Sequence, residues 1–188
     1  MEDRERWNTR YAARAAPGRG EPNAFLRKYI GMLPRGHALE LAMGEGVNAV
    51  FLAERGYSVT GIDVSDIAIE RACHLARHVG VALDVRREDL TSIRLPANSY
   101  ELVVCFYYLQ RDLLPQVVTT LRPGGMVLYE TFAAEQGLTG QPVNPAYLLA
   151  PNELLEAFRA LRIRVYRDVI VEGSRAIVSL IGEKMKRS

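Results

Sequence analysis

Apolar residues fall along this chain in two rhythms. Short, almost unbroken runs at Leu39–Ala42, Val59–Asp63, Ala82–Val85, Leu102–Phe106 and Met126–Thr131 have the length of buried strands. Between them the apolar positions recur every three or four residues. Val47, Val50 and Phe51 share one face of a helix over Gly46–Arg55, closed by Gly56. Ser65 is an N-cap for a helix whose stripe is Ala68, Ala72, Leu75, Ala76 and Val79. A third helix over Leu113–Leu121 runs into "LRPGG". Strands alternating with helices predict right-handed crossovers and a parallel sheet.

Both ends of the chain differ in style. A helix over Asn23–Met32 stops before Pro34 and Gly36, and the arm before it turns at Pro17, Gly18 and Gly20. After a helix over Asn152–Leu161, two more strands are predicted, one through Ile163, Val165 and Val169–Val171, the next at Ala176–Ile181. Gly173 and Ser174 leave room only for a tight turn between them, so this pair is antiparallel. The expected fold is α/β, a Rossmann-like three-layer sandwich with a seven-stranded, mostly parallel sheet ending in an antiparallel hairpin. Residues 1–36 form a helical arm or lid and residues 37–188 the main body, one domain overall.

Composition narrows the class. A chain of 188 residues suits one core, and 48% hydrophobic with 24% charged residues excludes a disordered protein. The net charge of +2 is too small to point to nucleic acid, and Lys184, Lys186 and Arg187 read as a solvated tail. Cys73 and Cys105 have no metal-ligand spacing and read as reduced thiols, so no metal is expected. The charged start "MEDRERWNTRYAARAA" lacks the apolar core of a signal peptide, and no apolar run is long enough for a membrane helix. The expectation is a cytoplasmic protein with a small-molecule substrate, without membrane or nucleic-acid partners.

The chemistry sits in "LELAMGEGVNAVFLAERGYSVTGIDVS". Gly44, Gly46 and Ala49 meet the G-x-G-x-x-[GA] pattern, with Asp63 at the end of the next strand. That pattern fits a nicotinamide dinucleotide or S-adenosylmethionine. Glu40 separates them, because an acid in the first strand suits the ammonium group of the methionine end. Asp89 in "REDL" sits where an acid can accept from the exocyclic amine of adenine. Ligands of open α/β sheets lie outside the carboxyl ends of the strands, where Glu40, Gly44, Asp63, Asp89 and Cys105 are all expected.

With these residues in hand, the chain resembles the class I S-adenosylmethionine-dependent methyltransferases over nearly its whole length. "ELAMGEG" looks like their E/D-x-G-x-G-x-G loop, "GIDVS" their second-strand ending, and "LRPGG" the turn before their fifth strand. The family's first glycine is Ala42 here. The resemblance implies that Glu40 serves the ligand's amino group and that Gly44 and Gly46 let the backbone approach. It implies that Asp63 binds both ribose hydroxyls. Further cofactor contacts are implied at Asn48, Val64, Leu90, Cys105 and Phe106. "WNTRY" and "GEGVNAVFLAERGY" are similar to the tellurite-resistance and thiopurine methyltransferase-like set, in which the arm folds over the cofactor. That gives Trp7, Arg10 and Tyr11 a closing role.

The acceptor side is less defined. "CFYYLQRD" replaces the Asn/Asp/Ser-Pro-Pro-aromatic stretch of enzymes that methylate the exocyclic nitrogens of nucleobases or glutamine, which argues against those acceptors. One of Tyr107 and Tyr108 reads as core, while the other, with Arg111, is a candidate pocket wall. Glu130, Glu135 and Gln136 lie toward the same sheet edge, and the long connection Thr131–Pro151 is a candidate lid. A soft sulfur, selenium or tellurium acceptor needs no base. For an oxygen or nitrogen acceptor, Glu135, Tyr107 and Tyr108 are the candidates. His74 and His78 stand four apart on a helix without acidic or thiol neighbours and read as solvent-facing. Two alternatives stay open, a cofactor-binding module without catalysis and an NAD(P)-dependent oxidoreductase.

Overall fold

A computed structural model of the chain describes residues 2–16, 18–135, 144–171 and 175–186. Its strands form a seven-stranded sheet in the order β3-β2-β1-β4-β5-β7-β6, and its residues divide into two compact units, Met1–Ile93 and Arg94–Ser188. The expected mixed sheet, mostly parallel with an antiparallel hairpin at the end, is the observed one.

The first unit opens with helices α1 (Glu2–Ala12) and α2 (Ala24–Tyr29). Parallel strands β1 (His37–Leu41), β2 (Ser58–Asp63) and β3 (Asp84–Arg87) follow, joined by α3 (Val47–Ala53) and α4 (Asp66–Val79). Helix α4 shows how local the signals are. The Ser65 hydroxyl accepts the Ala68 N–H at 3.2 Å and starts the helix. Gly80, at φ 82°, ends it by donating to the Ala76 and Arg77 carbonyls. Its buried face is Ala68, Ala72, Leu75 and Ala76, and Leu75 and Ala76 pack with Val50 of α3. Burying such a leucine or valine stabilises the unit by about 1.5–3 kcal/mol each.

The expected third strand, Ala82–Val85, forms two residues later as β3. This strand is the sheet's edge and carries Arg86 on Asp84 and Arg87 on Asp66. An edge held by ion pairs and backbone bonds does not need the apolar run that marked it in the sequence.

The second unit contains β4 (Tyr100–Phe106), α5 (Leu114–Thr120), β5 (Leu121–Phe132), α6 (Glu153–Ala157), β6 (Arg162–Val171) and β7 (Arg175–Glu183). Strand β5 starts earlier than expected and takes in "LRPGG" as a bulge, the pairing with β4 jumping from Tyr100↔Leu121 to Leu102↔Met126. A side chain at Gly125 would lie 2.9–3.1 Å from the Arg122, Glu101 and Tyr100 carbonyls, so the bulge closes only on glycine. Helix α6 is shorter than the expected Asn152–Leu161, because Phe158 leaves helical geometry and Leu161 is buried through a turn instead. Strand β7 pairs antiparallel with both β5 and β6. The hairpin turn at Gly173 and Ser174, and Pro17 in the arm, lie outside the described residues.

Candidate functional site

In the first unit the segment after β1 folds under two acids. Ala42, Gly44 and Gly46 all have positive φ, at 52°, 58° and 78°. Glycine adopts that region freely, whereas an alanine is held there at a cost of about 1–2 kcal/mol. Met43 donates its N–H to the Ile62 carbonyl at 2.9 Å, and Gly44 donates to Asp63 Oδ2 at 2.8 Å. The segment is therefore stitched to the end of β2. Gly46 has a packing reason of its own to be glycine, since a Cβ there would lie 2.7 Å from the Ala72 Cβ of α4.

Asp63 is 7% exposed and accepts from the N–H groups of Gly44, Ser65 and Val64. Burial raises its carboxyl above the ordinary value, against the pull of those three donors. Glu40 is 2% exposed on β1. Its Oε1 accepts the Asn48 side-chain amide at 3.0 Å, while Oε2 is buried with no hydrogen-bond partner among the described residues. Burial pushes the Glu40 carboxyl up to about 8, opposed by the Asn48 and Ala49 donors and reinforced by the charge of Asp63. Asn48 is itself oriented, because its Oδ1 accepts the Asn23 N–H at 2.7 Å just before α2.

Helix α1 lies against this loop. The Tyr11 hydroxyl would stand 2.8 Å from a Cβ at Gly44, and burial with the Asp63 charge pushes its phenol up to about 12. Asn8 Oδ1 accepts from the Ser65 hydroxyl at 2.7 Å and from the Ile67 N–H at 3.4 Å. Arg4 pairs with Asp66 at 2.6 Å, and Arg14 and Arg71 converge on Glu45. Half-buried Trp7 packs beside Tyr11 at 6.0 Å, with the Arg10 guanidinium 5.0 Å from its ring. Of the residues expected around a cofactor, Trp7, Tyr11, Glu40, Ala42, Gly44, Asn48, Asp63 and Val64 thus come together. Asp89 folds onto its own turn, its Oδ1 accepting the Thr91 N–H and hydroxyl, and the Leu90 beside it is buried.

A ligand for this loop must offer a partner to the buried Glu40 Oε2 and tolerate a backbone approach at Gly44. The ammonium group of an S-adenosylmethionine methionine end meets the first demand, so the residues fit that cofactor.

In the second unit, Cys105 and Phe106 close β4 and are buried. Tyr107 follows with φ 55° and is 39% exposed. Its hydroxyl donates to Glu130 Oε1 at 3.1 Å, and its ring stacks on Phe132 at 5.2 Å. Tyr108 is half-buried, and its carbonyl accepts the Tyr129 hydroxyl at 2.7 Å. Arg111 clamps Glu153 at 2.6 Å and the Ala146 and Leu148 carbonyls at 2.8 and 3.0 Å, tying the segment around residue 146 to α6. Glu135 is exposed. The candidate lid is tied at its ends by the Leu149 N–H to Phe132 and the Ala134 N–H to Leu149, while Gln136 and the rest of 136–143 lie outside the described residues. His74 and His78 are both exposed on α4.

Sequence reasoning noted Glu130 without its setting. It is 1% exposed inside β5, with Oε2 accepting the Ser179 hydroxyl at 2.6 Å and Arg167 at 2.8 Å. The available signal was a single acid and a single serine in the mostly apolar runs "MVLYETF" and "AIVSLI".

Comparison with known proteins bears on the same stretch. Residues 38–125 match the family model described as a methyltransferase domain. A ubiquinone biosynthesis O-methyltransferase of Coxiella burnetii is 25% identical over 100 residues, which are 50% of this chain and 43% of that protein. The chain thus spans less than half of that relative. In fold it is similar to a geranyl diphosphate C-methyltransferase of Streptomyces coelicolor, solved with S-adenosyl-L-homocysteine. That likeness has TM-score 0.75 and 14% identity, over 98% of this chain and 99% of that one. It is also similar to TehB of Haemophilus influenzae, with TM-score 0.73 and 17% identity over 86% of this chain and 62% of that one. Residues 38–125, which hold Glu40, Gly44 and Asp63, thus match a methyltransferase domain.

Proposed function

We propose that the chain transfers a methyl group from S-adenosylmethionine to a small-molecule acceptor. The observation that carries this reading is Glu40 Oε2, a buried acceptor beside a glycine loop with no partner among the described residues. Leaving such a group unsatisfied costs about 1–3 kcal/mol, more when it is charged, and a ligand ammonium removes that cost. Asp63 keeps lone pairs beyond its three backbone donors and accepts the ribose hydroxyls. Asp89 and the buried Leu90 serve the adenine, with Val64 along its edge. Residues 1–36 are the lid, with Trp7 and Tyr11 closing over the methionine end.

The cofactor supplies an activated methyl group, so the protein's own task is positioning and the exclusion of water. Acceptors fall into two kinds, soft sulfur, selenium or tellurium nucleophiles that need no base and oxygen or nitrogen nucleophiles that do. Cys73 and Cys105, neither of them in a disulfide, fit a reducing, cytoplasmic setting.

Calorimetric titration with S-adenosylhomocysteine, with NADH alongside, tests the proposal. Binding of S-adenosylhomocysteine alone, weakened about tenfold or more by Glu40→Gln, is the expected result. Binding of NADH alone overturns it in favour of an oxidoreductase.

A further inference from the structure

Glu45 stands between Gly44 and Gly46, and its carboxylate has no part in the ligand contacts proposed above. Its side chain is 8% exposed, and each oxygen is held by a different arginine. Arg71 of α4 donates to Oε1 at 2.6 Å, and Arg14, just past α1, donates to Oε2 at 3.2 Å. Through Nη2, Arg71 also donates to the Arg14 carbonyl at 3.0 Å. One guanidinium thus joins the loop after β1 to the N-terminal arm, from a helix that belongs to neither. The next residue of α4, Ala72, is the one that a Cβ at Gly46 would strike.

The arm depends on bonds of this kind. Helix α1 has 11 residues, and among its described side chains only that of Tyr11 is buried. An isolated helix shorter than about 12–15 residues is marginal in water. Arg4 on Asp66 and Asn8 on Ser65 are polar ties, which water replaces at small net cost. An element held this way opens locally while the unit beneath it stays folded.

The one buried side chain of the arm rests on the ligand loop. The Tyr11 hydroxyl stands against Gly44, close enough to Asp63 for that charge to act on its phenol. The Arg14 guanidinium lies 4.5 Å from the centre of the Tyr11 ring. Arg14 is therefore fixed by its carbonyl and by its side chain, and the tyrosine beneath it is fixed as well.

We propose that Arg71 is a positioning residue that seats the arm on the glycine loop, so that opening of the Arg71–Glu45–Arg14 clamp sets the rate of cofactor entry and release. Shut, the clamp keeps the Tyr11 ring at Gly44. Open, it clears the approach to Gly44 and Asp63. Arg71 touches no reacting atom and acts through Glu45 and Arg14. Arginine suits the place, because its planar fork serves two acceptors in fixed directions where a lysine offers a point charge.

Because this role rests on the methyltransferase reading, the arm is followed both without and with ligand. The full chain is compared with Arg71→Gln, Arg71→Lys and Arg14→Gln. In the free protein, amide hydrogen exchange across α1 should quicken about tenfold or more in Arg71→Gln, while the amides of α4 keep their protection. Trp7 is the chain's one tryptophan, so its stopped-flow fluorescence on mixing with S-adenosylhomocysteine reads the arm itself. The full chain should show an association rate that levels off at high ligand concentration. In Arg71→Gln that plateau and the dissociation rate should both rise about tenfold or more, with the equilibrium affinity changed far less than either. Arg71→Lys should recover part of the difference. Arg14→Gln, at a half-exposed side chain outside α4, should move the rates the same way and keeps the test intact if the Arg71 variants do not fold. Unchanged α1 exchange in a folded Arg71→Gln overturns the proposal. So does a loss of affinity with neither rate raised, the mark of an arginine that only braces the fold. Failure of the full chain to bind S-adenosylhomocysteine overturns the methyltransferase reading, and α1 exchange still decides whether Arg71 holds the arm.

Discussion

The backbone N–H of Gly44 donates to Asp63 Oδ2 at 2.8 Å, joining the loop after β1 to the acid that ends β2. Asp63 therefore shapes the loop as well as facing a ligand. Asp63→Asn keeps a side-chain oxygen for one backbone donor but loses the charge that strengthens the other bonds. The expected outcome is a loss of about 1–3 kcal/mol in stability, with weaker S-adenosylhomocysteine binding. Denaturant unfolding and calorimetry read the two effects separately, and a variant unchanged in both would deny Asp63 either role.

Ala42 occupies the left-handed region that glycine prefers. Ala42→Gly removes the strain but loosens the unfolded chain, for a net gain of about 0.5–1 kcal/mol. A higher Tm for the glycine variant is the expected reading, and a lower one would mean that the alanine methyl packs usefully.

Glu40 makes stability depend on pH. Its folded carboxyl titrates near 8, above the 4.5 of the free side chain. Between those values the folded state holds a proton that the unfolded state has lost, so stability falls as pH rises through that window. The raised carboxyl of Asp63 acts in the same direction. Glu40→Gln should flatten the Tm profile between about pH 5 and 8. A bound ammonium favours the charged carboxylate, so S-adenosylhomocysteine binding near pH 7 should release protons, seen as a buffer-dependent binding enthalpy.

The bulge in β5 supplies a sharper test of packing. Gly125→Ala drives a methyl group against three carbonyl oxygens that belong to the backbone and have little room to yield. A destabilisation of about 1–3 kcal/mol is expected from overcrowding alone. A neutral substitution in urea unfolding would mean that the β4–β5 pairing shifts its register to accommodate the side chain.

How far the sequence could be read depended on distance along the chain. Ser65, the alanine-rich stripe of α4 and Gly80 act within a few residues of one another, and α4 forms where they predict. Glu40 was legible because an acid in a buried run demands a partner. Strand β3 slipped by two residues because an edge strand is marked by Asp84, Arg86 and Arg87 and not by apolar burial. Arg167 and Ser179 stand 37 and 49 residues from Glu130 and meet it only through strand pairing, which no local pattern announces. Arg111 was read as a pocket wall from its place after the fourth strand, and only the fold brings Glu153 within its reach.

The chain of hydrogen bonds through Asn48 has a consequence at a distance. With its oxygen taken by the Asn23 N–H, the Asn48 amide has one orientation, and its nitrogen must face Glu40. Asn23 in turn caps α2 with its own side chain, which accepts the Phe25 and Leu26 N–H groups. The Glu40 carboxyl in β1 is thereby joined, through one oriented amide, to the first turn of α2.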